Sequence, residues 1–296
     1  MRATASSTAT LSATTSRIFR LRLGSTDANY RTLAAPTPAR PAIRISKRRS
    51  SLMRESRAMA GASSDDPVLL ITGASSGIGA ATARAAAARY RLVLAARRIK
   101  ELDVLSGELG GTERALPVRC DVTEWEQVEA MAAKALERFG RIDAVFANAG
   151  FGAKRGFLEE SVEHWRSMVL TNVLGPALTI RATLPHLLER GSGHYVITSS
   201  VAGRLVLPGS LYSATKWAAT SIGQNLRAEL RQIHRNEAIR VTLIEPGVVD
   251  TPFFENRPGE GVLRDEDIAR TVMYALEQPP NVDVSEILVR PTKQAG

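Results

Sequence analysis

The sequence has a single cysteine, Cys120, so an intrachain disulfide is excluded and a reducing compartment is the default expectation. A small buried side chain is the plain reading of that residue. Long apolar runs are missing too: none approaches the roughly 20 residues that a membrane-spanning helix needs. The 4 His are scattered without metal-ligand spacing, so no metal is expected. Acid is nearly absent from one stretch. Residues 1–60 hold eleven Arg and Lys47 against only Asp27 and Glu55. The formal charge of +9 therefore sits in that stretch, and the remainder is close to neutral. No nucleic-acid footprint is left in the body of the chain.

Residues 1–60 are rich in Ser, Thr, Ala, Arg and Pro and show no sustained hydrophobic period. Such a segment cannot offset its chain entropy by burial and is expected to be disordered. Two origins fit it. Arg- and Ser-rich, acid-poor composition suits an organelle transit peptide, which implies a chloroplast or mitochondrion. Translation from an upstream start in GC-rich DNA also fits, with a cytoplasmic protein beginning at Met53 or Met59.

From Pro67 the pattern changes to apolar runs alternating with Ala/Leu-rich helical stretches. The runs are Val68–Ile71, Leu92–Ala95, Ala115–Arg119, Ala144–Ala147, His194–Thr198, Val241–Ile244 and Ile287–Val289. Helices are expected near Ile78–Arg89, Lys100–Leu109, Glu124–Phe139, Val162–Arg190 and Tyr212–Arg235. Thr123 and Glu126 have the spacing of a capping box. Alternation with nearly all-apolar strands predicts one α/β domain over residues 67–296. Its core should be a doubly wound parallel sheet of about seven strands, of Rossmann type, with helices on both faces.

The first strand runs into Thr72-Gly73-Ala74-Ser75-Ser76-Gly77-Ile78-Gly79, and a helix follows. Glycines suit a backbone that turns tightly and must approach a pyrophosphate. The helix N-terminus then offers free N–H groups and a positive dipole. Downstream, Tyr212 and Lys216 lie four apart at the start of a long helix and share a face. A nearby ammonium favours a phenolate and should lower the Tyr212 pKa, fitting it to exchange a proton with a substrate oxygen. A Ser hydroxyl at the end of the fifth strand can donate to that oxygen.

These motifs, in this order, resemble the compact branch of the short-chain dehydrogenase/reductase family over roughly Pro67 to the C-terminus. The resemblance implies a nicotinamide cofactor bound by Gly73, Ser75, Ser76, Gly77, Ile78 and Gly79. It implies adenine contacts at Asp121 and Val122, and a cleft lined by Asn148, Ala149 and Gly150. It places the nicotinamide carboxamide against Pro246-Gly247-Val248-Val249-Asp250-Thr251, through the Val249 backbone and the Thr251 hydroxyl. Lys216 is implied to meet the nicotinamide ribose, and Asn172 to kink its helix and hold a water leading toward that Lys. For the catalytic Ser, the strand end selects Ser200, whereas a count back from Tyr212 selects Ser199. A loop one residue short between Pro208 and Tyr212 reconciles the two in favour of Ser200.

The second strand ends in Ala95-Ala96-Arg97-Arg98. No acid stands there to bind a ribose 2′-hydroxyl, and the guanidinium of Arg97, shared with Arg98, suits a 2′-phosphate. NADP(H) is the expected cofactor. The substrate is expected to be a small carbonyl or alcohol met by Phe151–Phe157, Ala202–Ser210 and Thr251–Arg264. The C-terminal Glu286–Thr292 resembles bacterial NADP-dependent 3-hydroxy acid and serine dehydrogenases, so Lys154, Arg155 or Arg290 is a candidate partner for a carboxylate. A 3-oxoacyl-carrier-protein reductase and a non-catalytic NADP-binding scaffold are the competing readings. Relatives of this kind are homodimers or homotetramers, which is the expectation here.

Overall fold

In a computed structural model, the structure describes residues 65–207, 210–253 and 258–294. The expectations for residues 1–60, and for Pro208 and Phe254, lie outside the described residues. The elements are β1 (Val68–Thr72), α1 (Gly77–Ala86), β2 (Arg91–Ala96), α2 (Ile99–Glu108), β3 (Ala115–Arg119), α3 (Trp125–Phe139) and β4 (Ala144–Ala147). After them come α4 (Val162–Val169), a π-helical turn (Leu170–Leu174), α5 (Gly175–Arg190), β5 (Gly193–Thr198), a 3₁₀ turn (Val201–Gly203), α6 (Leu211–Gln232) and β6 (Ile239–Pro246). The chain closes with β7 (Val249–Asp250), β8 (Leu263–Arg264), α7 (Asp265–Leu276) and β9 (Glu286–Val289).

Seven strands form one sheet in the order β3-β2-β1-β4-β5-β6-β9, every pair parallel. Alternation along the strands feeds two cores. Leu70, Val93, Val145, Ile197 and Leu243 join α3, α5 and α6 on one face. Leu69, Leu92, Phe146, Val196 and Ile244 join α1, α2 and α7 on the other. Burial on both sides explains why the strands read as unbroken apolar runs. The order reverses between β1 and β4, and the crevice at the strands' carboxyl ends there is where ligands bind in open α/β sheets.

Three local expectations need correction. Helix 162–190 is interrupted by the π turn. Asn172, at its centre, spends its side chain on Phe151 and Thr215, and Gly175 lets the chain close onto Val122, where a Cβ would meet a methyl at 2.8 Å. The Thr123 capping box does not form. The N-cap is Glu124, without a side-chain cap, and Thr123 bonds through both N and Oγ1 to Asp121 Oδ1. A carboxylate two residues away outcompetes the helix end. Finally α7 was not expected. It starts on Asp265, Glu266 and Asp267, with Asp267 accepting from the Arg264 backbone N–H at 2.8 Å, and buries Ile268, Val272, Met273 and Leu276.

Candidate active site

The glycine-rich turn is built for close approach. Gly73 and Gly77 adopt φ of +69° and +52°, conformations that other residues rarely take. A Cβ on Gly79 would lie 2.3 Å from the Gly73 carbonyl oxygen, so only glycine lets α1 start there. Ser76 precedes that start in extended conformation, its hydroxyl unused as a cap. Instead Arg98 lies over the turn and donates to Ser75 Oγ at 2.9 Å and Ser76 Oγ at 2.7 Å. Arg97, beside it, is exposed. The turn's open backbone, a helix N-terminus and an adjacent guanidinium fit the phosphates of a dinucleotide.

Thr72 fixes the neighbouring strand end. Its Oγ1 accepts from the backbone N–H of Asn148 at 3.0 Å and of Ala149 at 3.2 Å. Asn148 Nδ2 donates to the Thr72 carbonyl, and its Oδ1 accepts from Thr198 Oγ1 at 3.1 Å. One Asn thus ties β1, β4 and β5 together beside the crevice. Thr72 was not singled out from sequence; a hydroxyl closing an apolar run was the available signal. Asp121 stands at the β3 end and Val122 is buried against Gly175. Across the crevice, Gly247 donates to the Val289 carbonyl at 2.7 Å, Val249 is buried, and buried Thr251 packs over Gly77.

The polar centre lies at the carboxyl ends of β4, β5 and β6. Lys216 is buried, and its Nζ donates to the Thr198 carbonyl at 2.9 Å. That nitrogen also lies 5.8 Å from the centre of the Tyr212 ring. Asn172 Nδ2 donates to the Phe151 carbonyl at 2.8 Å and to Thr215 Oγ1 at 3.1 Å. Gly150 sits between Asn172 and Lys216, since a Cβ there would meet Oδ1 at 3.0 Å and Nζ at 3.6 Å. The two serines part company. Ser200 lies close enough to the Tyr212 hydroxyl to lower its pKa, while its Oγ accepts from the Ala202 N–H at 3.1 Å. Ser199 turns into α6, donating to the Lys216 carbonyl at 3.0 Å and pairing with Thr220 Oγ1 at 2.7 Å.

Burial pushes the Tyr212 phenol up to about 12, and the Ser200 hydrogen bond only partly offsets it. Burial also pulls the Lys216 ammonium down to about 8. The expected lowering of the Tyr212 pKa by Lys216 does not appear: burial raises it, and Ser200 is what pulls it back. Phe253 packs edge-on to Tyr212, with ring centres 5.5 Å apart, and touches Gly152, where a Cβ would come within 2.7 Å of the ring. Lys154, Arg155 and Arg290 are all exposed.

The profile described as short chain dehydrogenase matches residues 67–260. The chain belongs to the short-chain dehydrogenase/reductase family. An uncharacterized oxidoreductase of Listeria monocytogenes is 37% identical over 243 residues, covering 77% of this chain and 97% of that protein. An alcohol dehydrogenase of the archaeon Thermococcus sibiricus, solved with 5-hydroxy-NADP, is 35% identical with a TM-score of 0.71, over 78% of this chain and 99% of that one. A serine dehydrogenase in its closed form with NADP⁺ is 28% identical with a TM-score of 0.70, over 77% and 96% of the two chains. Solved relatives of this short-chain dehydrogenase carry NADP or NAD. Family membership makes the protein an oxidoreductase acting on CH–OH groups.

Proposed function

We propose that this short-chain dehydrogenase interconverts a small carbonyl compound and its alcohol with NADP(H). The observation that carries the reading is the convergence of Tyr212, Ser200, Lys216 and Asn172 beside a glycine turn covered by Arg98. When bound, the nicotinamide supplies or accepts the hydride. The turn from Gly73 to Gly79, with Asp121, Val122, Asn148, Ala149 and Gly150, holds the cofactor, and Val249 and Thr251 flank its reactive end. Arg98, with Arg97 beside it, receives the 2′-phosphate.

Ser200 holds the substrate oxygen against the Tyr212 hydroxyl. Tyr212 gives its proton to that oxygen in reduction and takes one back in the reverse direction. Burial keeps the Tyr212 phenol protonated, ready to donate in the reducing direction. Lys216 restores the proton, and Asn172, at the centre of the π turn, joins Phe151 to Thr215 beside Gly150 and Lys216. Phe253 and Gly152 narrow the entrance, which favours slim substrates, 3-hydroxy and 3-oxo acids among them. Exposed Val169, Leu170 and Leu174 beside exposed Trp217 support pairing of copies through the long helices.

The test is a panel of carbonyl compounds assayed with NADPH and NADH side by side. NADPH-dependent reduction of small ketones or oxo acids is the expected result. Binding of NADPH with no turnover across the panel would favour a scaffold instead. Turnover confined to acyl-carrier-protein thioesters would move the substrate to the acyl reductase class.

A further inference from the structure

Glu245 stands near the end of β6, immediately before Pro246, and is only 2% exposed. A carboxylate that deep must be paired or it neutralises. Its partner is Arg204, whose Nε donates to Oε1 at 2.7 Å. Burial pushes the Glu245 carboxyl up, and Arg204 pulls it back. The other end of the guanidinium meets Glu286 of β9, whose second oxygen accepts from Gln224 Nε2 at 2.9 Å. The resemblance to the family gave none of these side chains a role.

Their place in the chain supplies one. Arg204 ends the 3₁₀ turn that Ser200 begins. Inside that turn, Gly203 donates to the Ser200 carbonyl at 2.9 Å and Arg204 donates to the Val201 carbonyl at 3.0 Å. The Ala202 N–H donates to Ser200 Oγ at 3.1 Å. Ser200 Oγ lies 3.4 Å from the Pro246 carbonyl, and Arg204 grips the Glu245 side chain. The turn is thus fastened at both ends to consecutive residues of β6. Its inward end carries the hydroxyl that faces Tyr212.

We propose that the Arg204–Glu245 pair is a positioning device that holds Ser200 Oγ in line with Tyr212. It rests on the role assigned to Ser200 above. Arg204 and Glu245 touch neither substrate nor cofactor; they set where the turn sits on β6. Glu286, itself held by Gln224, balances the charge at the far end of the guanidinium.

The test uses the full chain with NADPH and the best carbonyl of the panel. Glu245→Gln should lower kcat about ten- to hundredfold, because small misplacements at a reacting centre cost that much. The KM for NADPH should stay within about twofold, since the glycine turn is untouched. In a Ser200→Ala background the same change should cost less than about twofold, because nothing remains to be positioned. Losses that simply add in that background overturn the proposal, as does an unchanged kcat in Glu245→Gln. If a single variant fails to fold, Arg204→Met with Glu245→Leu removes the pair without stranding a buried charge. That double variant should keep a near-normal Tm and still lose kcat. A crystal structure of the Glu245→Gln or the double variant reads the positioning without turnover: Ser200 Oγ should leave the Pro246 carbonyl. An unmoved Ser200 overturns the device. A wild type inactive on every carbonyl overturns the activity reading alone, and the crystal structure then decides the positioning.

Discussion

Tyr212 and Lys216 are buried in opposite senses, one holding its proton and one inclined to lose it, and each has a measurable signature. Tyr212→Phe should bind NADPH normally and show a kcat lowered by at least about a hundredfold, the span of general acid–base catalysis. Retention of most of the wild-type rate would remove Tyr212 from the chemistry. Ser200→Ala should cost far more activity than Ser199→Ala, whose hydroxyl is already committed to Lys216 and Thr220. For Lys216 the readout is stability. Its pKa falls from 10.5 unfolded to about 8 folded, so between those values the unfolded chain binds the extra proton and stability rises with pH. Lys216→Met should therefore be more stable than wild type at pH 7, by about 1 to 2 kcal/mol after the lost bond to Thr198 is counted. That gain should shrink from pH 8 to 10; Tyr212 titrates in both proteins and drops out of the difference between them, so denaturant melts of the pair across that window check the sign. The cofactor end has its own test. Arg98→Glu should cost NADPH about ten- to hundredfold in kcat/KM, one charge-assisted bond being worth about 1.5–3 kcal/mol. NADH should lose little, and the Arg97/Arg98 double variant should prefer it. An unchanged cofactor ratio in the double variant would place the phosphate elsewhere.

At the level of elements, what was legible depended on how burial is distributed. Val68–Ile71 and Ala144–Ala147 are wholly buried, so each reads as an uninterrupted apolar run in the sequence. The same holds for the glycine turn, because the need for Gly73 and Gly79 is a backbone need that no other residue meets. The break in Val162 to Arg190 was partly legible, since the resemblance places a kink at Asn172 and Gly175-Pro176 follows it, but the π turn itself shows only in the bonds of Asn172 to Phe151 and Thr215. For α7 the signal existed: Ile268, Val272 and Met273 recur at helical spacing behind three acids that suit the helix dipole. The bonds that orient Asn148 were hidden, because they run from Thr72 to residues about 75 positions away. One element-scale prediction follows from packing. Gly79→Ala should destabilise the fold by about 1–3 kcal/mol, as overpacking does when the obstacle is a backbone carbonyl rather than a side chain. A thermal melt without cofactor reads this directly, and an unchanged Tm would mean that the turn yields more than its contacts suggest.

Over the whole molecule, every strand and helix described begins after residue 65, and among the described residues no helix is long and apolar enough to cross a membrane. We propose that residues 1–60 contribute nothing to the catalytic unit, given their composition. Removing residues 1–58 should leave Tm and kcat unchanged; a truncated protein that fails to fold would show that the segment packs on the domain. A fluorescent fusion in the source cell separates a targeting peptide, which sends the label to an organelle, from an upstream start, which leaves it in the cytosol. The sheet order has a further consequence for how the chain comes to be folded at all. Leu69 pairs with Leu92 on one side and with Ala144 on the other. This interior strand is therefore the first of the described strands to be synthesised, and one of its edges stays open until β4 emerges many residues later. During that interval Val68–Thr72 is an unpaired, apolar template of the kind that recruits other nascent chains. The strand that anchors the finished sheet is thus its chief aggregation hazard on the ribosome, and a fragment ending before Ala144 should need a chaperone to stay soluble.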